Sequence, residues 1–219
     1  KTMKKLLFFF FLLFLFSSNF FSKAIDLPKY YKFPENYLKG DFYNSTKNFL
    51  LVATEDMTDP RFKETVIVML DHDKKGALGI VVNKPIGTIN IGSLIEDLVN
   101  KKINDKKVYN FKIPIYWGGP LDTDKILILH SDDYKNNNTT TYKNISITND
   151  YKTLIDIAEQ KGPKNSLVVI GISAWNIGQL DGEIEKGHWN LSEVKDEIIF
   201  KKNNKDKFIL ATENSFIRL

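Results

Sequence analysis

The chain has 219 residues, with 31 Lys and Arg against 27 Asp and Glu. Four of those Lys fall in the first 24 residues, which hold no acid, so the rest balances at 27 against 27. A neutral body argues against a nucleic-acid surface, and the lack of Cys excludes disulfides, thiol catalysis and thiolate metal sites.

Met3-Lys4-Lys5 opens a positive region, followed by 11 residues of Leu and Phe only, Leu6 to Phe16. Ser22-Lys23-Ala24 ends the stretch with a small-x-small pattern. Those three parts predict a signal peptide over 1–24, cleaved after Ala24 or kept as an N-terminal anchor. The apolar run is short for a membrane span of about 20 residues, unless Phe20 and Phe21 extend it. Residues 25–48 carry Pro28, Pro34 and many Tyr and Lys without period, and read as an irregular lead-in arm.

The domain is expected over 49–219. Phe49 to Ala53, Val66 to Leu70 and Ala77 to Val82 are apolar strand segments. Asp73-Lys74-Lys75-Gly76 predicts a hairpin turn. Ile91, Leu94, Ile95 and Leu98 recur at helical spacing. Strands are predicted at Ile113–Tyr116 and Ile126–His130, around a tight Gly118-Gly119-Pro120 corner. The Asn- and Thr-rich stretch from Asn136 reads as an exposed loop. A strand at Asn144–Thr148 precedes a helix capped by Asn149 or Asp150, with Leu154, Ile155 and Ala158 inward. Leu167 to Ile172 is a central strand. Ile177, Leu180 and Ile184 form the buried stripe of another helix. Glu197–Phe200 is expected as a strand and 206–212 as a terminal helix. Hairpins with separate helices, and no regular alternation of strand and helix, indicate an α+β domain.

The best binding candidates lie at three places. In a helix, Trp175, Gln179 and Glu183 share one stripe at i, i+4 and i+8, suited to a polar ligand or a peptide. The alternative is a Trp buried on the sheet, with the amide and carboxylate tying down a corner. Gly118 and Gly119 either present N–H groups to an anion or make only a tight turn. Asn83 ends the third strand in Asn83-Lys84-Pro85, which is not a phosphate loop.

Secondary candidates are Asp59, in the turn Asp59-Pro60-Arg61-Phe62, together with His72 and His130 near strand ends. No His-x-His or His-x3-His spacing points to a metal, and Gly-x-Ser-x-Gly is absent. No cofactor is implied. No catalytic residue is assigned.

Four blocks carry a resemblance. They are LLVATEDMTDPRFKETVIVMLDHDKKGALGIVVNKP, YWGGPLDTDKILILH, LVVIGISAWNIGQLDGEIEKGHWNL and EIIF. Together, in this order, they resemble the AlgH/YqgE family of bacterial proteins. The resemblance implies a single α+β domain with a strongly curved, largely antiparallel sheet and flanking helices. It implies no settled biochemical activity. The family's members are commonly described as transcriptional regulators and are generally taken as cytoplasmic, whereas the leader here points to export or an inner-membrane tether.

The sequence therefore favours a non-enzymatic binding or regulatory domain. Its partner would be a protein or a small polar ligand, with a membrane tether through the N-terminus and no tight DNA binding. The alternatives are a hydrolase-like enzyme using His72 or His130, and a transcriptional regulator.

Overall fold

A computed structural model of the chain describes residues 45–99, 110–136, 138–201 and 203–216. The leader at 1–24 and the lead-in arm up to residue 44 lie outside the described residues.

The first strands follow from continuous apolar runs. β1 (Phe49–Ala53), β2 (Val66–Asp73) and β3 (Gly76–Val81) form an antiparallel meander. Leu50, Val52, Val66 and Val68 enter one core layer, while Leu51, Ala53, Ile67 and Met69 enter another. Both faces of these strands are covered, so the alternation of polar and apolar residues expected of a half-exposed sheet is absent. The β2–β3 turn is as expected: the Asp73 carboxylate accepts the Lys75 N–H at 2.7 Å, and Gly76 takes φ +134.

β4 (Pro85–Asn90) leads into α1 (Ile91–Val99), and β5 (Lys112–Trp117) returns beside β4. β6 (Leu121–Ser131), β7 (Thr139–Tyr142) and β8 (Ile145–Thr148) build the far side of the sheet. α2 (Lys152–Ala158) follows, with the Asp150 carboxylate accepting the Lys152 N–H at 2.9 Å. β9 (Ser166–Trp175) is the central strand. α3 (Gln179–Glu185), β10 (Trp189–Glu193), α4 (Asp196–Ile199), α5 (Asn204–Glu213) and β11 (Ser215–Phe216) complete the chain.

The strands make one sheet in the order β11-β10-β1-β2-β3-β9-β6-β8-β7, with β5 also on β9 and β4 outside β5. Every pairing is antiparallel except β5 with β9. The fold is a single α+β domain with a curled, largely antiparallel sheet. α4 and α5 cover one face, α3 and the 54–65 loop cover another, and α1 and α2 cover the β5–β9–β6 region.

The curl has a local origin. β5 and β3 share one edge of β9, β5 against Val168–Ile170 and β3 against Ser173–Trp175. The handover falls at Gly171, which takes φ +80. Gly118 and Gly119 cross it there. An added Cβ on Gly118 would overlap the Gly171 carbonyl oxygen, and one on Gly119 would overlap the Ile172 backbone. The crossing is welded by Gly118 N–H to Ile170 O at 2.8 Å and Val81 N–H to Gly118 O at 3.0 Å. Only glycine permits backbones this close.

Several sequence expectations are corrected. Glu197–Phe200 is not a strand: Asp196–Ile199 is the short helix α4, whose consecutive Ile198 and Ile199 are both buried. Trp175 is not helical but closes β9, because the helix starts only after Gly178, which takes φ 68. Ile177 does not belong to the buried stripe and is 42% exposed, whereas Leu180 is buried. β4, β7, β10 and β11 were not expected. The first holds Pro85 and Gly87, the second is nearly all Thr, the third reads Trp-Asn-Leu-Ser-Glu without an apolar run, and the last has two residues.

Candidate functional site

Helix α3 gathers the strongest candidates. Gln179, Asp181 and Glu183 lie on it, and its Leu180 is fixed in the core. Trp175, at the end of β9, donates its indole N–H to Glu183 Oε2 at 2.9 Å. Trp189 on β10 donates to the same oxygen at 2.8 Å. Gln179 Nε2 donates to Glu183 Oε1 at 3.0 Å, and Gln179 Oε1 accepts the Asn176 N–H at 3.1 Å. The two indoles meet edge to face at 6.3 Å. Both Trp are buried. One carboxylate thus accepts three N–H donors and ties α3 to two strands. Sequence reasoning placed Trp175, Gln179 and Glu183 together; it missed Trp189, whose position six residues after Glu183 was the available signal.

A second carboxylate of α3 turns the other way. Asp181 Oδ2 lies 3.4 Å from His72 Nε2, and both side chains are buried. On its other side, His72 Nδ1 accepts the Thr46 N–H at 3.2 Å and lies 3.0 Å from Thr46 Oγ1. A backbone N–H can only donate, so Nδ1 is the acceptor and Nε2 carries the proton toward Asp181. Thr46, His72 and Asp181 have the residue types of a nucleophile–base–acid series. Thr46 is 1% exposed, however, which leaves its hydroxyl no access to a substrate.

Asn83 is spent on structure. Its Oδ1 accepts the Val66 N–H and its Nδ2 donates to Glu64 O, both at 2.8 Å. Ala77 is the β3 residue opposite Trp175. Asn83 lies six residues further on, about 20 Å along an extended chain, so it is not brought to the Glu183 carboxylate. Gly118 and Gly119 lie between the two, at the fork, where Gly118 O also accepts the Ser173 hydroxyl at 3.1 Å.

Asp59 holds Arg61 through both oxygens, and Arg61 lies 5.8 Å over the Phe62 ring. The hydrogen bond from the Arg61 guanidinium holds the Asp59 carboxyl below its usual range. Phe62 in turn meets Trp117 at a tilt and Trp189 edge to face. His130 is fully buried; its Nδ1 donates to Ser131 O at 2.7 Å and its Nε2 has no protein partner. Burial lowers its pKa, which keeps the ring neutral.

Lys207 on α5 was not anticipated. It is 0% exposed, donates to Val82 O at 2.8 Å and sits 4.6 Å over the Tyr116 ring. Burial pushes its pKa down to about 8. No carboxylate among the described residues lies within ion-pair distance of it. Among the described residues there is also no cluster of three or more His, Asp or Glu placed to hold a metal.

The site thus sits on a curled sheet forked at three glycines, with a short helix tied to it by the half-buried Glu183 and the buried Asp181. The AlgH-like family model, DUF179, matches residues 50–218. A UPF0301 protein of Rickettsia akari is 33% identical over 174 residues, covering 79% of this chain and 89% of the relative. A UPF0301 protein of Pseudomonas entomophila is 33% identical over 168 residues, covering 77% and 83%. The solution structure of the AlgH protein from Pseudomonas aeruginosa superposes with a TM-score of 0.64 at 28% identity, over 78% of this chain and 88% of that one. A crystal structure from Corynebacterium diphtheriae shares the fold, with a TM-score of 0.56 at 19% identity over 76% and 85%. The chain belongs to the AlgH-like family.

Proposed function

We propose that the domain acts by binding a partner, a protein or a small polar ligand, and performs no chemistry of its own. The observation that carries this reading is the fate of Glu183. A general acid or base needs a free valence directed at a substrate. Here the carboxylate accepts from two indoles and an amide, so it serves as a bolt. The result is a rigid α3 corner that presents the exposed Ile177 beside the half-buried Gln179 and Glu183. A pre-organised apolar tip with a polar flank suits recognition, because little ordering entropy is lost on contact. In the full-length chain in its native cell, a photo-crosslinker at position 177 should trap one discrete partner. Absence of any crosslink, together with turnover of model esters that is lost in His130→Gln, would favour the enzyme instead.

The hydrolase-like alternative has one observation in its favour, the neutral His130 with an unpartnered Nε2. Against it stands the complete burial of that ring.

We further propose that the leader directs export or an inner-membrane tether, with the cytoplasmic location typical of the family as the alternative. Among the described residues no helix is long and apolar enough to cross a membrane. The N-terminal residue of the native protein, Ile25 or Met3, decides between cleavage and retention. As to transcription, the sequence holds only two Arg, and Arg61 is occupied by Asp59. Tight unaided binding to duplex DNA is therefore not expected. Sub-micromolar affinity with a steep salt dependence would restore the regulator reading.

A further inference from the structure

We propose that His72 is a proton-operated clasp that fastens residues 45–48, the described end of the lead-in, to the domain. Residues 45–48 are fixed along the second half of β2. Ser45 Oγ donates to His72 O at 2.6 Å, Thr46 N–H donates to His72 Nδ1, and Asn48 N–H donates to Met69 O at 3.1 Å. Lys47 adds an exposed ion pair with Asp71 at 3.0 Å. Of these, only the Thr46 contacts are buried, and they converge on one ring nitrogen.

The two sides of that ring respond to a proton in opposite ways. Protonation of Nδ1 sets an N–H against the Thr46 N–H. The Thr46 hydroxyl can reverse its role and accept, but the amide cannot, and it is left unpaired where water does not reach. On the other side, Nε2–H already faces the Asp181 carboxylate, and an imidazolium strengthens that contact. The ring therefore stays on α3 and lets go of the Thr46 amide.

The charged and titratable groups around His72 support this asymmetry. Asp181 faces it from α3, and Asp71 and Asp73 flank it on β2. Lys47 is neutralised by Asp71. From β7, Tyr142 lies within electrostatic range of Lys47 and Asp71. From β3, the residues opposite His72 and its neighbours are Gly76, Ala77 and Leu78, none charged. Lys47 is thus already paired with Asp71, and the Asp181 carboxylate faces Nε2.

The test is amide hydrogen exchange of the full-length chain at pH 7.5 and pH 5, corrected for intrinsic rates. Protection of Thr46 should fall about tenfold or more in acid. Protection at Ala53 and Val82, whose amides bond to Thr65 and Val66, should hold, and so should the emission of Trp175 and Trp189. His72→Asn keeps an acceptor near the Nδ1 position and cannot titrate, so its Thr46 amide should stay protected at both pH values. An NMR titration of the wild type is independent of any variant: the Thr46 amide and the His72 ring should shift with one midpoint. A Thr46 amide that is indifferent to pH while the ring titrates would overturn the clasp. Equal loss of protection in His72→Asn, or loss spread over the whole sheet, would overturn it as well.

Discussion

Glu183 and Lys207 are both charged groups drawn away from water, and they are held in opposite ways. Glu183 spreads its charge over three N–H donors from three different elements. Lys207, more deeply buried, has one carbonyl and the face of one aromatic ring. The comparison separates two costs. A carboxylate with its lone pairs occupied is stabilised as an ion, and its partners come to depend on it. An ammonium with a single acceptor still bears most of its desolvation penalty, and its lowered pKa reports that. Removing the first should therefore harm the fold, while removing the second should relieve it.

The largest effect is expected from Glu183→Ala. It strands the buried indole N–H groups of Trp175 and Trp189 and frees Gln179 from its anchor. Stability should fall by about 3 kcal/mol, as for other broken buried networks. Urea unfolding followed by tryptophan fluorescence measures it, and near-ultraviolet circular dichroism should show the indole pair disordered. A loss below about 1 kcal/mol would mean that core packing, not the carboxylate, seats α3.

Lys207 should behave with the opposite sign. Its folded pKa of about 8 lies below the ordinary 10.5, so between these values the unfolded chain binds more protons. Stability must then rise with pH across that window. By pH 10 the gain should reach about 2 kcal/mol. Above pH 10 the raised pKa values of Tyr116, Tyr134 and Tyr142 work against it, since the folded state then holds the extra protons. Lys207→Met should abolish the climb and add about 1 kcal/mol at neutral pH. A wild type whose stability is flat from pH 8 to 10 would mean that Lys207 is better solvated than its position indicates.

The same contrast explains what could be read from the chain alone. β1, β2, β3 and α1 announce themselves because apolar runs and helical spacing reflect burial directly. The α3 carboxylates were half legible: Gln179 and Glu183 stood out beside Trp175, but the partner that completes the set, Trp189, sits on a strand reading Trp-Asn-Leu-Ser-Glu, which has no apolar run to signal it. Trp175 looked helical because spacing at i, i+4 and i+8 says nothing about where a helix begins; the turn at Gly178 decides that. Asp181, His72 and Thr46 meet only through tertiary folding, as residues far apart in sequence. Lys207 was invisible for a simpler reason. In a segment reading Asn-Lys-Asp-Lys-Phe, any Lys is expected in water, and only the position of α5 over Tyr116 buries it. The Gly118, Gly119 and Gly171 crossing was legible as a corner, but not as the fork of the sheet, which requires knowing that β5 and β3 share β9.

The exposed pair Asp59–Arg61 sharpens the comparison, because its geometry is better than that of Lys207 and its setting is water. Arg61 Nε lies 3.1 and 3.2 Å from the two Asp59 oxygens, and Nη2 lies 2.6 Å from one of them. The side chains are 58% and 34% exposed. If bonding geometry set the worth of a charge pair, this one would rank near Glu183. If burial sets it, the coupling should be small, because the ions lose little on parting and salt screens them. A double-mutant cycle of Asp59→Ala and Arg61→Ala should give a coupling of about 0.5 kcal/mol, fading as salt is raised. Asp59→Ala alone should cost more than Arg61→Ala, because Asp59 Oδ1 also accepts the Arg61 backbone N–H at 3.0 Å and so holds the turn. Arg61→Ala removes only the guanidinium and its contact with Phe62. The Asp59 contribution should shrink as pH falls through its depressed pKa, since protonation removes the charge that strengthens its hydrogen bonds to Arg61. A coupling above about 2 kcal/mol would place geometry ahead of burial, and the contrast between Glu183 and Lys207 would then need another cause.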